Sequence, residues 1–277
     1  MKKFILLLML IPLVLCSCTT PGTEKEEMTV YFADVGKADL ILIKCGDKYG
    51  LIDAGYKSNR DKADEIMEQY GVKTLQFALA THNDKDHIGG MAHIIEKYDP
   101  ETLYITPLVS EEKQYKNMLE AASLKGTTVK KLKKGDKFTF CGASFDVLSP
   151  DDSLLALKNE NESSVVLKMQ YGKNSVLFMG DAQIKSEEVI MKYYTKELSC
   201  DVIKIGHHGS SKASSQVFLS KTNAKYAVIT TGDEEPAADV TLRSIASYGM
   251  KVYNTDTDGD IIMKIDGTNI SFTTKGK

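Results

Sequence analysis

Residues 81–90, Thr-His-Asn-Asp-Lys-Asp-His-Ile-Gly-Gly, constrain the fold of this chain more than any other stretch. The apolar run at residues 75–80 predicts a buried strand before them, and the apolar spacing at residues 91–97 predicts an amphipathic helix after them. Two histidines and two aspartates therefore lie within six residues on one strand-to-helix turn. Histidine and aspartate both bind metals, and this spacing lets one turn direct several of them to one point. The strand and the Gly89-Gly90 pair favour a metal site over an ordinary polar loop.

The composition suits a globular protein. The 277 residues are 42% hydrophobic and 26% charged, enough to bury the core of one large domain. The formal net charge of −3 provides no overall attraction to nucleic acid. A polyanionic substrate would therefore need a local patch or a metal ion.

The N-terminus has the pattern of a targeting segment. Lys2 and Lys3 precede an apolar stretch at residues 4–15, which is too short to span a bilayer comfortably. We therefore predict that residues 1–17 are a signal peptide.

The end of this segment resembles a bacterial lipoprotein cleavage site, because small Ser17 directly precedes Cys18. By that resemblance Cys18 is the lipidated first residue, residues 18–27 are a polar tether, and residues 28–277 are the functional domain. The expected location is extracytoplasmic and membrane-anchored. The alternative is a secreted protein that is cleaved nearby.

Three further cysteines, Cys45, Cys141 and Cys200, are odd in number and widely spaced. This arrangement does not indicate a disulfide framework. Each is expected to be a small buried side chain.

Strand-rich stretches alternate with helical patterns along the chain, as at residues 59–70, where the spacing predicts a helix. The turn-forming run at residues 149–152 is expected to mark the middle of the fold. The pattern suits two sheets packed face to face with helices outside, in one domain of about 250 residues.

Four other stretches end apolar runs with acidic or histidine residues: 32–39, 51–55, 176–181 and 202–211. Active sites of layered folds often lie at such strand ends beside glycines. A single aspartate after a strand is usually a turn former or a helix cap. All four stretches together, in this order, indicate an active site more strongly than any one of them alone.

The order of Asp53, the cluster from His82 to His87, Asp181 and His207 resembles the metallo-β-lactamase superfamily. More narrowly, it resembles the C-terminal hydrolase domain of ComEC competence proteins, which take up DNA. The resemblance extends from about residue 28 to the C-terminus. It implies an α/β fold, the four-layer αβ/βα sandwich of two mixed sheets packed face to face with helices outside, in agreement with the strand and helix pattern.

The resemblance also implies a ligand set for two divalent metal ions. The superfamily motif His-x-His-x-Asp-His reads here with aspartate in place of the second histidine. The implied metal ligands are His82 and Asp84 on the first ion, Asp86, His87 and His207 on the second, and Asp181 bridging both. Asp53 would orient the cluster.

One superfamily histidine is missing between His87 and Asp181, where the chain has only His93, expected to be a surface or packing residue. Residues 159–164 fill the corresponding place, so Asn161 or a water would complete the first site. We therefore expect the second site to bind more tightly. The ions would be zinc or manganese, and the oxygen ligand Asp84 favours manganese.

Two metals that share a carboxylate activate water for attack on phosphorus and stabilise charge on the phosphoryl oxygens. The predicted catalytic residues are Asp86, which would also orient the water, Asp53 and His208. For His208 a packing role is an equal alternative. Ser210, Ser211 and Asn161 are the predicted substrate contacts, and Lys37 is expected to be a solvated surface lysine.

Residues 256–260 look like a calcium loop, but their glycine stands at position four, whereas an EF-hand requires it at position six. We predict a hairpin turn there.

The leading functional hypothesis is a lipid-anchored, metal-dependent phosphodiesterase, a nuclease acting on DNA outside the cytoplasm. The DNA substrate depends on the resemblance alone. The alternatives are hydrolysis of another phosphodiester, such as a cell-wall phosphocholine or a lipid head group, and a non-catalytic surface binding module on the same fold. The sequence indicates no obligate protein partner.

Overall fold

The computed structural model describes residues 26–276. The predicted signal peptide and the predicted lipidation site at Cys18 lie outside the described residues, as does all of the predicted tether except Glu26 and Glu27. In the described part of the chain, no helix is long and apolar enough to cross a membrane.

The strands in chain order are β1 Met28–Phe32, β2 Leu40–Cys45, β3 Lys48–Ala54, β4 Phe77–Ala80, β5 Thr102–Ile105, β6 Thr128–Lys131, β7 Lys137–Phe140, β8 Ala143–Ser149, β9 Val166–Tyr171, β10 Asn174–Phe178, β11 Val202–Lys204, β12 Tyr226–Ile229, β13 Lys251–Asn254, β14 Ile261–Ile265 and β15 Ile270–Thr274. The helices are α1 Arg60–Gln69, α2 Lys85–Ile88, α3 Met91–Tyr98, α4 Lys113–Lys125, α5 Asp152–Leu155, α6 Ile184–Tyr193, α7 Gln216–Thr222, α8 Asp239–Ser247 and α9 Thr255–Asp258.

The strands form two mixed sheets. The first has the order β15-β14-β1-β2-β3-β4-β5-β6, and the second has the order β13-β12-β11-β10-β9-β8-β7. The predicted αβ/βα sandwich is confirmed.

Three apolar layers hold the sandwich together, because the central strands are buried on both faces. In β4, Phe77 and Leu79 point into the core between the sheets, whereas Ala78 and Ala80 face the helices α1, α3 and α4. The outer face of the second sheet packs in the same way on α6, α7 and α8. Alternation of side chains across a strand explains why an uninterrupted apolar run is needed here.

The predicted middle of the fold at residues 149–152 is wrong. That run ends β8, but the chain leaves the first sheet after β6 and enters the second at β7. The last two strands, β14 and β15, then return to the first sheet. Turn residues mark where a strand ends but not which sheet the next strand joins.

The predicted hairpin turn at residues 256–260 is also wrong. The strands on either side, β13 and β14, belong to different sheets, and the single helical turn α9 carries the chain between them. Asp260 then anchors the start of β14, because its carboxylate accepts hydrogen bonds from the Tyr31 hydroxyl at 2.6 Å and the Asp34 amide at 2.8 Å.

A disulfide joins Cys45 and Cys141, with their Cα atoms 6.3 Å apart. It connects the end of β2 in the first sheet to the turn between β7 and β8 in the second. The expectation that both are simple buried thiols is therefore wrong, because a separation of 96 residues conceals their proximity. Cys200 is buried and free, as predicted.

Candidate metal centre

The predicted site residues lie where strands of both sheets end. β3 and β4 run parallel in the first sheet, and β10 and β11 run parallel in the second. Asp53 and His82 lie at the ends of the first pair, while Asp181 and the His207-His208 pair follow the second. Because parallel strands end at the same edge, the topology brings these four distant segments together.

The motif turn contains a short helix, α2, that periodicity did not reveal. It packs tightly on the end of β3, and two glycines permit this. A Cβ on Gly90 would lie 2.4 Å from the carbonyl oxygen of Ala54, and one on Gly89 would lie 2.6 Å from the amide nitrogen of Lys57. The glycine pair therefore lets the motif lie beside Asp53.

Three site residues adopt the left-handed backbone region, with φ values of 57° at Asp53, 48° at His207 and 52° at His208. This region is unfavourable for residues other than glycine and persists only where surrounding contacts impose it. The backbone therefore directs these side chains at some conformational cost, as is typical of functional sites.

One group of candidate ligands is compact. Single ligand atoms of Asp86, His87, Asp181 and His208 all lie within 4.8 Å of one another. The Nε2 atom of His208 is 3.5 Å from Asp181 Oδ1 and 3.6 Å from Asp86 Oδ2. The Nε2 atom of His87 is 3.3 Å from the same Asp181 oxygen.

A second group surrounds the other oxygen of Asp181. His82 Nε2 lies 3.9 Å from Asp181 Oδ2 and 3.5 Å from Asp84 Oδ2. His207 Nε2 lies 3.8 Å from Asp181 Oδ2. The two oxygens of Asp181 therefore face different sets of side chains.

The arrangement fits divalent cations. His82 Nε2 and Asp181 Oδ1 are buried and have no hydrogen-bond partner in the described part of the protein. A buried polar atom without a partner costs about 1–3 kcal/mol, and a cation would satisfy both atoms. Imidazole and carboxylate donors suit zinc and manganese alike.

The ionisation of the site residues also agrees with cation binding. Burial alone would raise the pKa of the Asp181 carboxyl, but His208 and His87 outweigh burial and hold that pKa well below its usual range. For Asp86, burial would likewise raise the pKa, but the nearby His208 and His87 lower it to about 2. Burial opposes protonation of His87, yet Asp181 and Asp53 raise its pKa well above the ordinary value. Buried carboxylates thus remain ionised and draw positive charge to the site.

Asp53 lies behind the candidate ligands. Its carboxylate accepts hydrogen bonds from the Thr81 amide at 2.8 Å and the Thr81 hydroxyl at 2.7 Å, and it lies 2.7 Å from His87 Nδ1. A carboxylate on Nδ1 fixes the ring so that Nε2 faces the site. Asp53 therefore orients His87.

Sequence reasoning gave no role to Asp39, which lies in the stretch 32–39, and missed Thr230 and Lys204 behind His208. Its Nδ1 lies 2.8 Å from the carbonyl oxygen of Thr230, whose hydroxyl is 2.5 Å from Asp39 Oδ1. Asp39 also forms a buried ion pair with Lys204. The sequence did contain one signal of this buried pair, the lysine inside the apolar strand β11. A lysine almost never occupies a buried position without a partner of opposite charge.

The predicted substrate contacts lie around the site in two places. Ser210 and Ser211 line a cavity of about 310 Å³ together with His207 and His208. Lys37, expected on the solvated surface, lines the same cavity and pairs with Glu235.

Asn161 begins a short 3-10 turn, and its buried Oδ1 has no hydrogen-bond partner among the described residues. The next residue, Glu162, holds this turn in place by accepting hydrogen bonds from Ser186. His93 Nε2 lies 3.0 Å from Asp64 Oδ1 on the helical side of the first sheet, and 24% of its side chain is exposed.

The fold and the cluster of imidazoles and carboxylates at its sheet edge define a metal-dependent hydrolase. The chain belongs to the metallo-beta-lactamase superfamily, whose family model matches residues 33–232.

Curated relatives refine the class. ComE operon protein 3 of Bacillus subtilis is 30% identical over 259 residues, covering 85% of this chain and 33% of that protein. Recombination protein 2 of Haemophilus influenzae is 29% identical over 219 residues, covering 77% of this chain and 25% of that protein. The predicted resemblance to competence proteins is confirmed. This chain spans about a third or less of the length of these relatives.

Among solved structures, the metallo-beta-lactamase fold protein YhfI from Bacillus subtilis superposes with a TM-score of 0.57. It is 12% identical, and the match covers 87% of this chain and all of that one. Similarity at this level supports the fold alone.

Proposed function

We propose that this protein is a two-metal phosphodiesterase that cleaves DNA outside the cytoplasm. The observation that carries the proposal is the position of Asp181, whose two carboxylate oxygens face two separate groups of imidazoles and carboxylates. A carboxylate shared by two metals is the arrangement that phosphoryl-transfer sites use to stabilise both attacking and leaving oxygens.

The geometry supports a ligand assignment that differs in one respect from the sequence-based expectation. We assign His208 to the second site, with Asp86, His87 and Asp181. His207 then joins the first site and takes the place of the missing superfamily histidine, which the sequence analysis gave to Asn161 or water.

Each site has two nitrogen and two carboxylate donors under this assignment. Mixed ligation of this kind is compatible with both manganese and zinc. The second site is expected to be the tighter one, because 43% of the Asp84 side chain is exposed, against 18% for Asp86.

Divalent ions held here would supply an activated water and would neutralise charge on the phosphoryl oxygens. The residues of the chain have the remaining tasks. Asp86 is the most exposed member of its group, and its carboxylate orients the attacking water by accepting a hydrogen bond. At the cavity mouth, the hydroxyls of Ser210 and Ser211 and the amine of Lys37 donate hydrogen bonds to the phosphate.

Similarity to ComE operon protein 3 and Recombination protein 2 supports DNA as the substrate. The Cys45–Cys141 disulfide supports the extracytoplasmic location, because such bonds persist in oxidising compartments. The predicted lipid anchor at Cys18 would hold the enzyme at the membrane surface.

A second candidate substrate is a small phosphodiester, such as a cell-wall phosphocholine or a lipid head group. The cavity at His207 and His208 favours it, because about 310 Å³ accommodates one head group.

The test compares two substrates in parallel. The purified chain, supplied with Mn²⁺ or Zn²⁺, is incubated with plasmid DNA and with bis-p-nitrophenyl phosphate. We expect hydrolysis of both and loss of both in Asp86→Asn. Asp47→Asn changes the charge equally in an exposed turn and should remain active. Hydrolysis of the small diester but not of DNA would refute the nuclease assignment. If neither metal supports hydrolysis of either substrate, a binding module is favoured.

A further inference from the structure

A basic cavity lies beside the motif turn, whose residues Lys85 and Gly89 line it. It has a volume of about 650 Å³ and is bordered by α2, α3, α4 and residues 56–60. Four cationic side chains line it, against two carboxylates, those of Glu96 and Glu120. The cations are Lys57, Arg60, Lys85 and Lys113.

These four cations stand out from other surface lysines because they line one cavity together. Lys97, Lys116 and Lys137 each form an ion pair with a neighbouring carboxylate. Across residues 26–276, none of the four cavity cations forms an ion pair. An excess of uncompensated positive charge in a chain of net charge −3 indicates an anionic ligand.

The basic cavity adjoins the metal-binding motif, because Lys85, which lines it, stands between Asp84 and Asp86. Tyr56 and Ser58 line both this cavity and a neighbouring one of about 600 Å³. Lys37 and Glu235 line that neighbour and also the cavity that holds His207 and His208. The middle cavity is lined by the carboxylates of Asp34, Asp233, Glu234 and Glu235. A polyanion would therefore pass from the basic cavity to the metal centre beside Lys85.

We propose that the basic cavity binds phosphates of a nucleic-acid strand whose scissile phosphate lies at the metal centre. The inference rests on the proposed function and adds how the substrate is held. The basic cavity, with a volume of about 650 Å³, is larger than one phosphodiester requires. Tyr56 is the one aromatic residue among those lining the basic cavity. Binding therefore depends on the backbone charges rather than on stacked bases, and it is independent of sequence.

The test reverses three charges in the triple variant Lys57→Glu/Arg60→Glu/Lys113→Glu. Lys85 is left intact, because it lies inside the metal-binding motif. The matched control is Lys130→Glu/Lys131→Glu/Lys173→Glu, which carries the same change of charge at exposed lysines that line none of the three cavities.

The substrates are bis-p-nitrophenyl phosphate and a DNA single strand of about 20 nucleotides. For the triple variant we expect unchanged hydrolysis of the small diester and a KM for the strand at least about tenfold higher. Each phosphate contact contributes about −0.7 to the slope of log affinity against log salt for single strands, so the slope should become shallower by about 2. The control variant should have the same KM as the wild type and nearly the same salt slope.

An unchanged KM and salt slope in the triple variant would overturn the inference. So would the same losses in the control variant, since they would reflect net charge alone. The nucleic-acid ligand would also be refuted if the triple variant lost affinity for poly(glycerol phosphate) but kept its affinity for DNA. Failure of the proposed function looks different, because the wild type would then leave the small diester intact. Fluorescence anisotropy of the labelled strand, compared among the three proteins, tests the cavity in that case.

Discussion

Lys204 Nζ lies 2.6 Å from the carboxylate of Asp39, and both side chains are buried. Burial alone would raise the pKa of Asp39, but Lys204 outweighs it with help from His208, and the pKa falls below its ordinary value. Lys204 therefore keeps the Asp39 carboxylate ionised behind the ring of His208, 3.7 Å from its Nδ1 atom. Thr230 connects the two, since it contacts both Asp39 and His208.

Replacing Lys204 with methionine should lower the free energy of unfolding by about 3–5 kcal/mol, because it leaves a buried carboxylate without its cation. Urea titration measures the loss. Lys225→Met is the control, since Lys225 pairs with Asp201 at 3.2 Å on the exposed surface and should cost at most about 1 kcal/mol. Equal losses in the two variants would contradict the role given to the buried pair.

The two adjacent histidines should affect different metal sites. We expect His208→Asn to weaken the tighter of two binding events by at least about tenfold, because it removes a donor from the more buried group. His207→Asn should weaken the other event. Calorimetric titration with Mn²⁺ resolves the two, and His93→Asn should leave both unchanged. The reversed result would restore the assignment of His207 to the second metal.

The disulfide should contribute strongly to stability. A loop of 96 residues closed by a cross-link stabilises a fold by about 4–5 kcal/mol in the chain-entropy view, so Cys45→Ser/Cys141→Ser should unfold at much lower denaturant. In the wild type, Cys45 and Cys141 should become alkylated only after reduction.

Cys200 serves as an internal control for that labelling experiment. Burial raises the pKa of its thiol to about 12, so it should resist alkylation until the protein unfolds. Alkylation of Cys45 in the unreduced, denatured protein would show that the bond does not form.

The parts of this site that the sequence predicts are those that local pattern controls. The strand before His82, the glycines after His87 and the aspartates at strand ends are all visible within a few residues. Asp53 lies near the end of β3 and Asp181 follows β10, and the parallel neighbours of these strands end at the same edge, so a layered fold brings the two residues together.

The parts that the sequence does not predict depend on long-range contacts or on backbone direction. Lys204 meets Asp39 across 165 residues, and Cys45 meets Cys141 across 96. The division of His207 and His208 between two groups depends on left-handed φ values at both residues, which turn consecutive side chains to different oxygens of Asp181. Residue type and spacing contain no information on that direction.

Asp260 should make stability depend on pH in the acid range. Burial would raise its pKa, but hydrogen bonds from Tyr31 and the Asp34 amide and the nearby Lys62 amine lower it below the ordinary value. A group whose folded pKa is depressed stabilises the fold above its unfolded pKa of about 3.9 and loses that contribution as pH falls through the folded value. Asp260→Asn should therefore lower the free energy of unfolding by about 1.5–3 kcal/mol near pH 7, the range for hydrogen bonds to a charged group. This loss should become smaller as the pH falls below about 4. Urea titrations of wild type, Asp260→Asn and the exposed control Asp47→Asn across this range measure the difference, and a difference that stays constant from neutral to acid pH would contradict it.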